Sequence, residues 1–436
     1  MSSFLIMGII SLKKRLVHIL RWSERYTKTD MVYFASGNFW LMANRVIGVG
    51  SGIILTIAFA NLLSPETFGT YKYILAIASI IGAFSLGGLG GAVTRAVAQG
   101  KAHVVPHAAR IVFLWSLPAS FVALCGSVYY FLMHNISLSS GLLLVALTNS
   151  FFNVFVFSKN IPLGKKDFRG MALIGIPMTI IPVTLLVATL FITKNIIIIL
   201  SVYFLSNFVT GLFSYKWFLR KYKITKGDEG VAEAITYGKH LSVMSVVSQV
   251  AGNLDQLLLW HFVGPVQLAM YSFALAPIRE IRNFFENIYP LIFPKYATKT
   301  VAEMKKTVPL RVAQLFIVSL VIGIIYILVA PWLYKIILPQ YVSAIFASQL
   351  LAIALIFQPK GIVDTMLYAQ GNTRLRYVSV FTTQGIKVVL SVILIPTYGL
   401  MGAVVSVILT DALSALVLWW VYKNLTDVII SKLTLS

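Results

Sequence analysis

The sequence predicts an all-α integral membrane protein of about twelve transmembrane helices in two six-helix lobes. Three observations predict it: an apolar composition, a one-sided distribution of basic residues, and a repeat displaced by 200 residues. Of 436 residues 58% are hydrophobic and 11% charged, with a mean hydropathy of +0.85, whereas soluble domains carry about 25% charged residues. A crossing takes about 20 residues to traverse a core of about 30 Å, so the chain has room for about a dozen.

Residues 1–32 are expected to form a cytoplasmic basic segment. Leu12, Leu16, Ile19 and Leu20 recur at helical spacing among basic residues, the pattern of an amphipathic helix lying on anionic headgroups. The apolar stretch from Phe4 to Ile10 precedes Lys13, Lys14 and Arg15, the reverse of the order in a signal peptide. Apolar runs then set spans at 33–60, 71–94, 111–133, 139–158, 171–193 and 196–215, an N-lobe over 33–222. A polar stretch over 223–240 reads as a cytoplasmic linker. Spans at 241–263, 267–293, 312–334, 342–369, 377–396 and 399–422 make a C-lobe over 241–423, and 424–436 forms the tail.

An even number of spans puts both termini on one side. Of 36 Lys and Arg residues, 28 fall on that side, five lie within spans, and only Lys72, Lys194 and Lys335 fall on the other side. Positive charge marks the cytoplasmic side, so both termini are expected in the cytoplasm. The formal net charge of +22 is therefore topological, and no nucleic acid partner is implied. Cys125, the single cysteine, lies in an apolar run and is read as a packing residue. His103 and His107 stand four apart with no third ligand nearby, so no metal site is expected. The longest internal loops, around 25 residues in the spans above, leave little room for the catalytic loop of a membrane glycosyltransferase, and an enzyme is not expected.

The linker splits the spans six and six. A shift of 200 residues lays Leu63-Ser64-Pro65 and Tyr71 through Ala76 on Val263-Gly264-Pro265 and Tyr271 through Ala276, and pairs Gly52 with Gly252 and Arg95 with Lys295. Six helices return the chain to its starting side, so the copies are parallel, with the pseudo-twofold axis along the membrane normal. Repeated halves of this kind place a substrate site at their interface.

Leu63-Ser64-Pro65-Glu66-Thr67-Phe68-Gly69-Thr70-Tyr71 resembles the L-G-P-E-x-F/Y-G-x-Y signature of bacterial polysaccharide export proteins. Gly87-Gly88-Leu89-Gly90, Arg95 and the run from Asn253 to Leu259 strengthen the likeness, although Gln256 stands where many relatives have a basic residue. The resemblance implies the MATE-like fold of the multidrug/oligosaccharidyl-lipid/polysaccharide (MOP) flippase superfamily. Within it the Wzx-type O-antigen and capsule-unit flippases are most similar. They imply transport of undecaprenyl-diphosphate-linked oligosaccharide to the outer leaflet of the bacterial inner membrane by alternating access, for O-antigen, lipopolysaccharide or other surface polysaccharide biosynthesis. Membrane lipid is then a partner, and a polysaccharide polymerase and a chain-length regulator are candidate partners. No cofactor is expected beyond a coupling H+ or Na+.

Ten charged residues fall within the spans, and intramembrane charges usually line a wet cavity or a substrate path. Arg45, Arg279, Arg282, Lys360 and Lys387 are candidate substrate-binding cations. Asp255, Glu280, Glu286, Asp364 and Asp411 are candidates for ion coupling or for charge pairing. Lys360 and Asp364 are four apart and can pair, and a span-8 arginine can pair with Glu286. Asn38, Gln249 and Gln256 are expected to add polar surface to the cleft. Asn38, Gly48 and Gly52 share a face with Arg45, a face that suits either an aqueous cleft or close helix packing. All five acids follow residue 250, so Arg45 has no partner in its own lobe and must face the second lobe or an anion. Guanidinium groups match the oxygens of a diphosphate. A MATE-type multidrug or cation antiporter is the alternative reading, and the resemblance implies acidic residues in the first lobe of such proteins.

Overall fold

The computed structural model describes residues 31–224, 231–289, 301–369 and 373–434, together with Gly227, Ile292 and Tyr296. The basic segment before residue 31 and Lys295 of the repeat lie outside the described residues, as does the side chain of Asn38.

The N-lobe consists of α1 (Met31–Leu62), α2 (Pro65–Ala83), α3 (Leu89–Ala98), α4 (Val104–Leu132), α5 (Ile136–Phe155), α6 (Phe157–Gly164), α7 (Phe168–Ile192) and α8 (Ile196–Lys221). The C-lobe consists of α9 (Val231–Phe262), α10 (Pro265–Glu286), α11 (Val301–Ile337), α12 (Ile345–Ile353), α13 (Lys360–Ala369) and α14 (Thr373–Thr434). Helices α2 with α3 make the second crossing and α5 with α6 the fourth. Helix α12, flanked by 3-10 turns, makes the tenth with α13. Helix α14 supplies the last two crossings. It breaks where Pro396 removes a backbone donor and Gly399 turns left-handed at φ 57°, which an L side chain resists. The described residues thus contain twelve crossings.

Three of these crossings, α2 with α3, α9 and α10, fall short of the length or apolarity of a simple membrane span. They are the crossings that meet between the lobes, and their polar residues face one another instead of lipid. The repeat is visible in their ends. Pro65 opens α2 and Pro265 opens α10, a position that needs no backbone N–H, and Tyr71 and Tyr271 are both buried.

The lobes are joined unevenly. On the side away from the termini one apolar cluster runs through both lobes, from Phe59, Tyr71 and Phe204 to Leu268, Phe273 and Tyr341. Phe68 stacks on Phe273 at 4.5 Å and Tyr73 on Trp260 at 4.1 Å. The Asn61 side chain donates to the Ile337 carbonyl at 3.0 Å, and Gln340 donates to the Asn61 carbonyl at 3.3 Å. Gly69 lies so close to Pro265 that a Cβ would stand 1.9 Å from the Pro265 carbonyl oxygen, so only glycine fits there. Toward the termini each lobe has its own core. Leu89, Val105, Phe157 and Phe218 form one, and Met304, Val308, Met366 and Leu418 the other. Along one flank α2 and α3 stay against α9, where Ser242 accepts from the Gly88 N–H at 3.1 Å. Along the other flank α1 and α10 hardly touch.

Three expectations need correction. Helix α2 begins at Pro65, six residues earlier than the span assigned from residue 71, so Lys72 lies two turns inside a crossing and not in a loop. Helix α9 begins at Val231, which makes the second half of the expected linker helical, and α14 continues into the expected tail. Cys125 is exposed on α4 instead of buried in a core.

Candidate functional site

A cavity of about 330 Å³ opens between the lobes, lined by Ser79 of α2 and, from the C-lobe, by Gln249, Asp255, Gln256, Arg279, Arg282, Lys387 and Asp411 among others. Seven of the residues singled out in the sequence are thus brought into one chamber. Their pairing is specific. Asp411 is buried and binds two cations at once, Arg282 of α10 at 2.6 Å and Lys360 of α13 at 2.6 Å. Asp255 of α9 accepts from the Tyr271 hydroxyl and lies 3.7 Å from Lys387 of α14. Lys387 also reaches the carbonyl of Gly252 at 3.4 Å, past a glycine whose Cβ position is open space.

Two pairings expected from helical spacing do not form. Lys360 turns to Asp411, and Asp364 instead accepts from the Ser379 hydroxyl at 2.8 Å on the exposed side of α13. Lys360 opens α13, where the positive end of the helix dipole disfavours a cation, and the buried Asp411 of α14 offsets that cost. Arg282 likewise takes Asp411 and leaves Glu286 exposed, and Glu280 is exposed as well.

The chamber holds donors without acceptors. Among the described residues the buried Arg282 Nε–H and the Thr410 hydroxyl find no hydrogen-bond partner, and both residues line the cavity. A buried unsatisfied donor costs about 1–3 kcal/mol and calls for an explanation. Arg279 stands beside them, exposed to the chamber. Across the seam Arg45 of α1 is exposed, and its guanidinium lies 3.4 Å from the backbone carbonyl of Asn283 on α10. Arg45 therefore faces the second lobe. Cβ positions at Gly48 and Gly52 meet nothing within 4 Å, so this face of α1 is open and not packed.

The charge reading missed two groups of residues. Lys72 of α2 lies within electrostatic reach of Arg279 and Asp255, which adds a second N-lobe cation at the interface. Its helical register after Pro65 was the signal. A second cavity of about 370 Å³ adjoins the first through shared residues Ser79 and Gln249, and is lined by Ser85, Asn149, Asn153, Phe152 and Ser245 with no charged side chain. Asn149 and Asn153, four apart in an apolar run, were its signal. Among the described residues no three His, Cys, Asp or Glu side chains converge to hold a metal ion.

The family model described as polysaccharide biosynthesis protein matches residues 34–294, more than half of the chain. No curated protein sequence matches it. Among solved structures, a MATE transporter in complex with MaD5 is similar at a TM-score of 0.61 and 15% identity, over 90% of this chain and 95% of that one. The lipid II flippase MurJ in an inward closed conformation is similar at 0.60 and 13% identity, over 89% and 87%. A MOP superfamily transporter from Pyrococcus furiosus, described as having a binding pocket of reverse polarity, follows at 0.56 and 14%, over 90% and 95%. With twelve crossings in two parallel lobes around a polar interface, the chain has a MATE-like fold and belongs to the polysaccharide biosynthesis protein family.

Proposed function

We propose that this MOP-superfamily transporter is a Wzx-type flippase that moves undecaprenyl-diphosphate-linked oligosaccharide units from the cytoplasmic to the outer leaflet of the bacterial inner membrane. The observation that carries the reading is the chamber's surplus of positive charge together with its orphan donors. Arg279, Arg282 and Lys387 line the chamber with Asp255 and Asp411, and Lys360 reaches Asp411 from outside that lining. The Arg282 Nε–H and Thr410 hydroxyl are buried in its wall without an acceptor among the described residues. A diphosphate offers several acceptor oxygens and negative charge to all of them. A cation antiporter would need acids in the N-lobe, and the cavity on that side is neutral.

In this mechanism the termini are cytoplasmic and the joined side of the lobes faces outward. The headgroup enters from the cytoplasm between the separate lobe cores. The weakly closed seam between α1 and α10 lets the polyprenyl tail remain in the bilayer while Arg45 meets the diphosphate at the seam. Opening requires the Phe68–Phe273 and Tyr73–Trp260 contacts to part as the lobes rock. Asp255, held between Lys387 and Tyr271, is the carboxylate we assign to coupling with H+ or Na+, because substrate arriving at Lys387 would release it.

The test is a leaflet assay in vesicles with a fluorescent undecaprenyl-diphosphate-linked sugar, run beside ethidium uptake. Movement of the lipid-linked sugar is expected. Ethidium transport with no movement of the lipid-linked sugar would overturn the reading. An imposed pH or Na+ gradient that leaves the flipping rate unchanged would remove the coupling assignment alone.

A further inference from the structure

The neutral cavity has no part in binding a diphosphate, yet it is contiguous with the charged chamber and of similar size. Its walls come mainly from α2, α5 and α9, with Gly90 of α3, Val112 of α4 and Phe157 of α6. Its polar groups are set by a fixed chain of hydrogen bonds. Asn149 donates to the Ser120 hydroxyl at 3.2 Å, and Asn153 donates to the Ser85 hydroxyl at 2.9 Å and to Asn149 Oδ1 at 3.1 Å. Both N–H groups of Asn153 are thus consumed by protein acceptors, since its second contact is the Asn149 carbonyl and side chain. Its Oδ1 receives no donor among the described residues and lies at the cavity beside Gly82, where a Cβ would stand 3.8 Å away. The Ser79 hydroxyl, which accepts from Asn253 at 3.1 Å, and Gln249 stand at the junction with the charged chamber. Phe152 and Phe157 supply apolar wall.

A rigid amide acceptor, hydroxyls and aromatic wall without charge suit an uncharged polyol, not an ion or an apolar drug. The volume of about 370 Å³ falls within the range of about 300–1,000 Å³ for small-molecule sites. We infer that this amide-lined cavity is a saccharide subsite, which receives the first sugar or sugars of the transported unit while the charged chamber holds the diphosphate. The inference rests on the flippase reading and adds to it a division of labour: the C-lobe cations select the anion, and the N-lobe amides select the sugar. The reducing-end sugar sits next to the diphosphate in such a lipid, which matches the shared boundary at Ser79 and Gln249.

The test is equilibrium binding to the full-length protein in nanodiscs, with undecaprenyl diphosphate and undecaprenyl-diphosphate-linked N-acetylglucosamine as the two probes. Wild type should bind the glycosylated lipid at least tenfold more tightly than the bare one. Asn153→Leu removes the acceptor at similar volume, and Gly82→Val fills the cavity from a position where a new Cβ is in ordinary contact, 3.5 Å from Asn149 Oδ1. Both variants should reduce the preference to twofold or less while leaving affinity for the bare lipid unchanged. Equal affinity of wild type for the two lipids would overturn the subsite, as would a preference retained in both variants or an equal loss for both lipids. If wild type binds neither lipid, the flippase reading itself fails.

Discussion

Replacing Asp411 by Asn tests whether the chamber's charges are held as the structure indicates. The change keeps the shape and removes the one carboxylate shared by Arg282 and Lys360, each at 2.6 Å. The side chains of Asp411, Arg282 and Lys360 are 10%, 21% and 19% exposed, so the loss is that of a buried pair. Removing one partner of such a pair costs about 3–5 kcal/mol, because the other charge stays buried. Two cations lose their partner here, but the cavity of about 330 Å³ beside Arg282 admits water, and the lower end of that range applies. With about 2 °C lost per kcal/mol in a large domain, the melting temperature should fall by about 6 °C. Adding Lys360→Met leaves a single uncompensated cation and should restore about half of the loss. The assay is thermal unfolding of the purified protein in detergent, followed by intrinsic tryptophan fluorescence. An Asp411→Asn variant that melts within about 1 °C of wild type, or a double variant that melts below the single one, refutes the shared-carboxylate argument.

Arg45→Ala should reduce flipping of the lipid-linked sugar at least tenfold, because its exposed guanidinium is held at the seam by a long hydrogen bond to the Asn283 carbonyl, 3.4 Å away. Its melting temperature should stay at the wild-type value, and full flipping activity would remove Arg45 from the site. Gly69→Val should force the lobes apart at Pro265, where even a Cβ would be 1.9 Å from a backbone oxygen. A disulfide between Asn61→Cys and Gln340→Cys, in a Cys125→Ser background, should form readily in the parent and be lost with Gly69→Val; persistence of the crosslink contradicts the close approach. Asp167, outside the crossings, would be raised by burial, but hydrogen bonds from Lys221, Tyr222 and the Gly170 N–H outweigh this and hold its carboxyl below the ordinary value. A depressed carboxyl stabilises the fold above its unfolded value of about 4 and loses that contribution as pH falls through the folded value. Melting temperature should therefore drop below about pH 4, and Asp167→Asn should flatten that drop; an identical acid profile in the variant would exclude Asp167 as its source.

Much of the fold was legible because a membrane allows so few architectures. Backbone groups must be satisfied within each crossing, and the one-sided basic residues then call for an even number of crossings. The paired prolines at 65 and 265 located the repeat because each opens a helix. Lys72 was misplaced for a related reason: the hydropathy of Glu66 and Lys72 hid the first turns of α2, although Ser64 caps that helix by accepting from the Thr67 N–H. The sequence's charges pointed to Asp255, Arg279, Arg282, Lys387 and Asp411 of the chamber, because a buried charge is costly wherever it stands, but equally to Glu280, Glu286 and Asp364, which stand outside it. The chamber's pairing was not legible. Asp411 is 51 residues from Lys360 and 129 from Arg282, and sequence spacing reports only neighbours on one helix. The neutral cavity was the least legible part, since Asn149 and Asn153 carry no charge to mark them and meet Ser85 only after α2 and α5 pack.

The joint that closes the far side of the lobes is built without formal charge. Tyr73 on Trp260, Phe68 on Phe273 and Gly69 on Pro265 have nothing for salt to screen. Ionic strength and acidity of the surrounding medium leave such a joint untouched. Temperature does not, because apolar contact weakens on cooling. The closure is therefore indifferent to the chemistry of the environment and sensitive to its warmth.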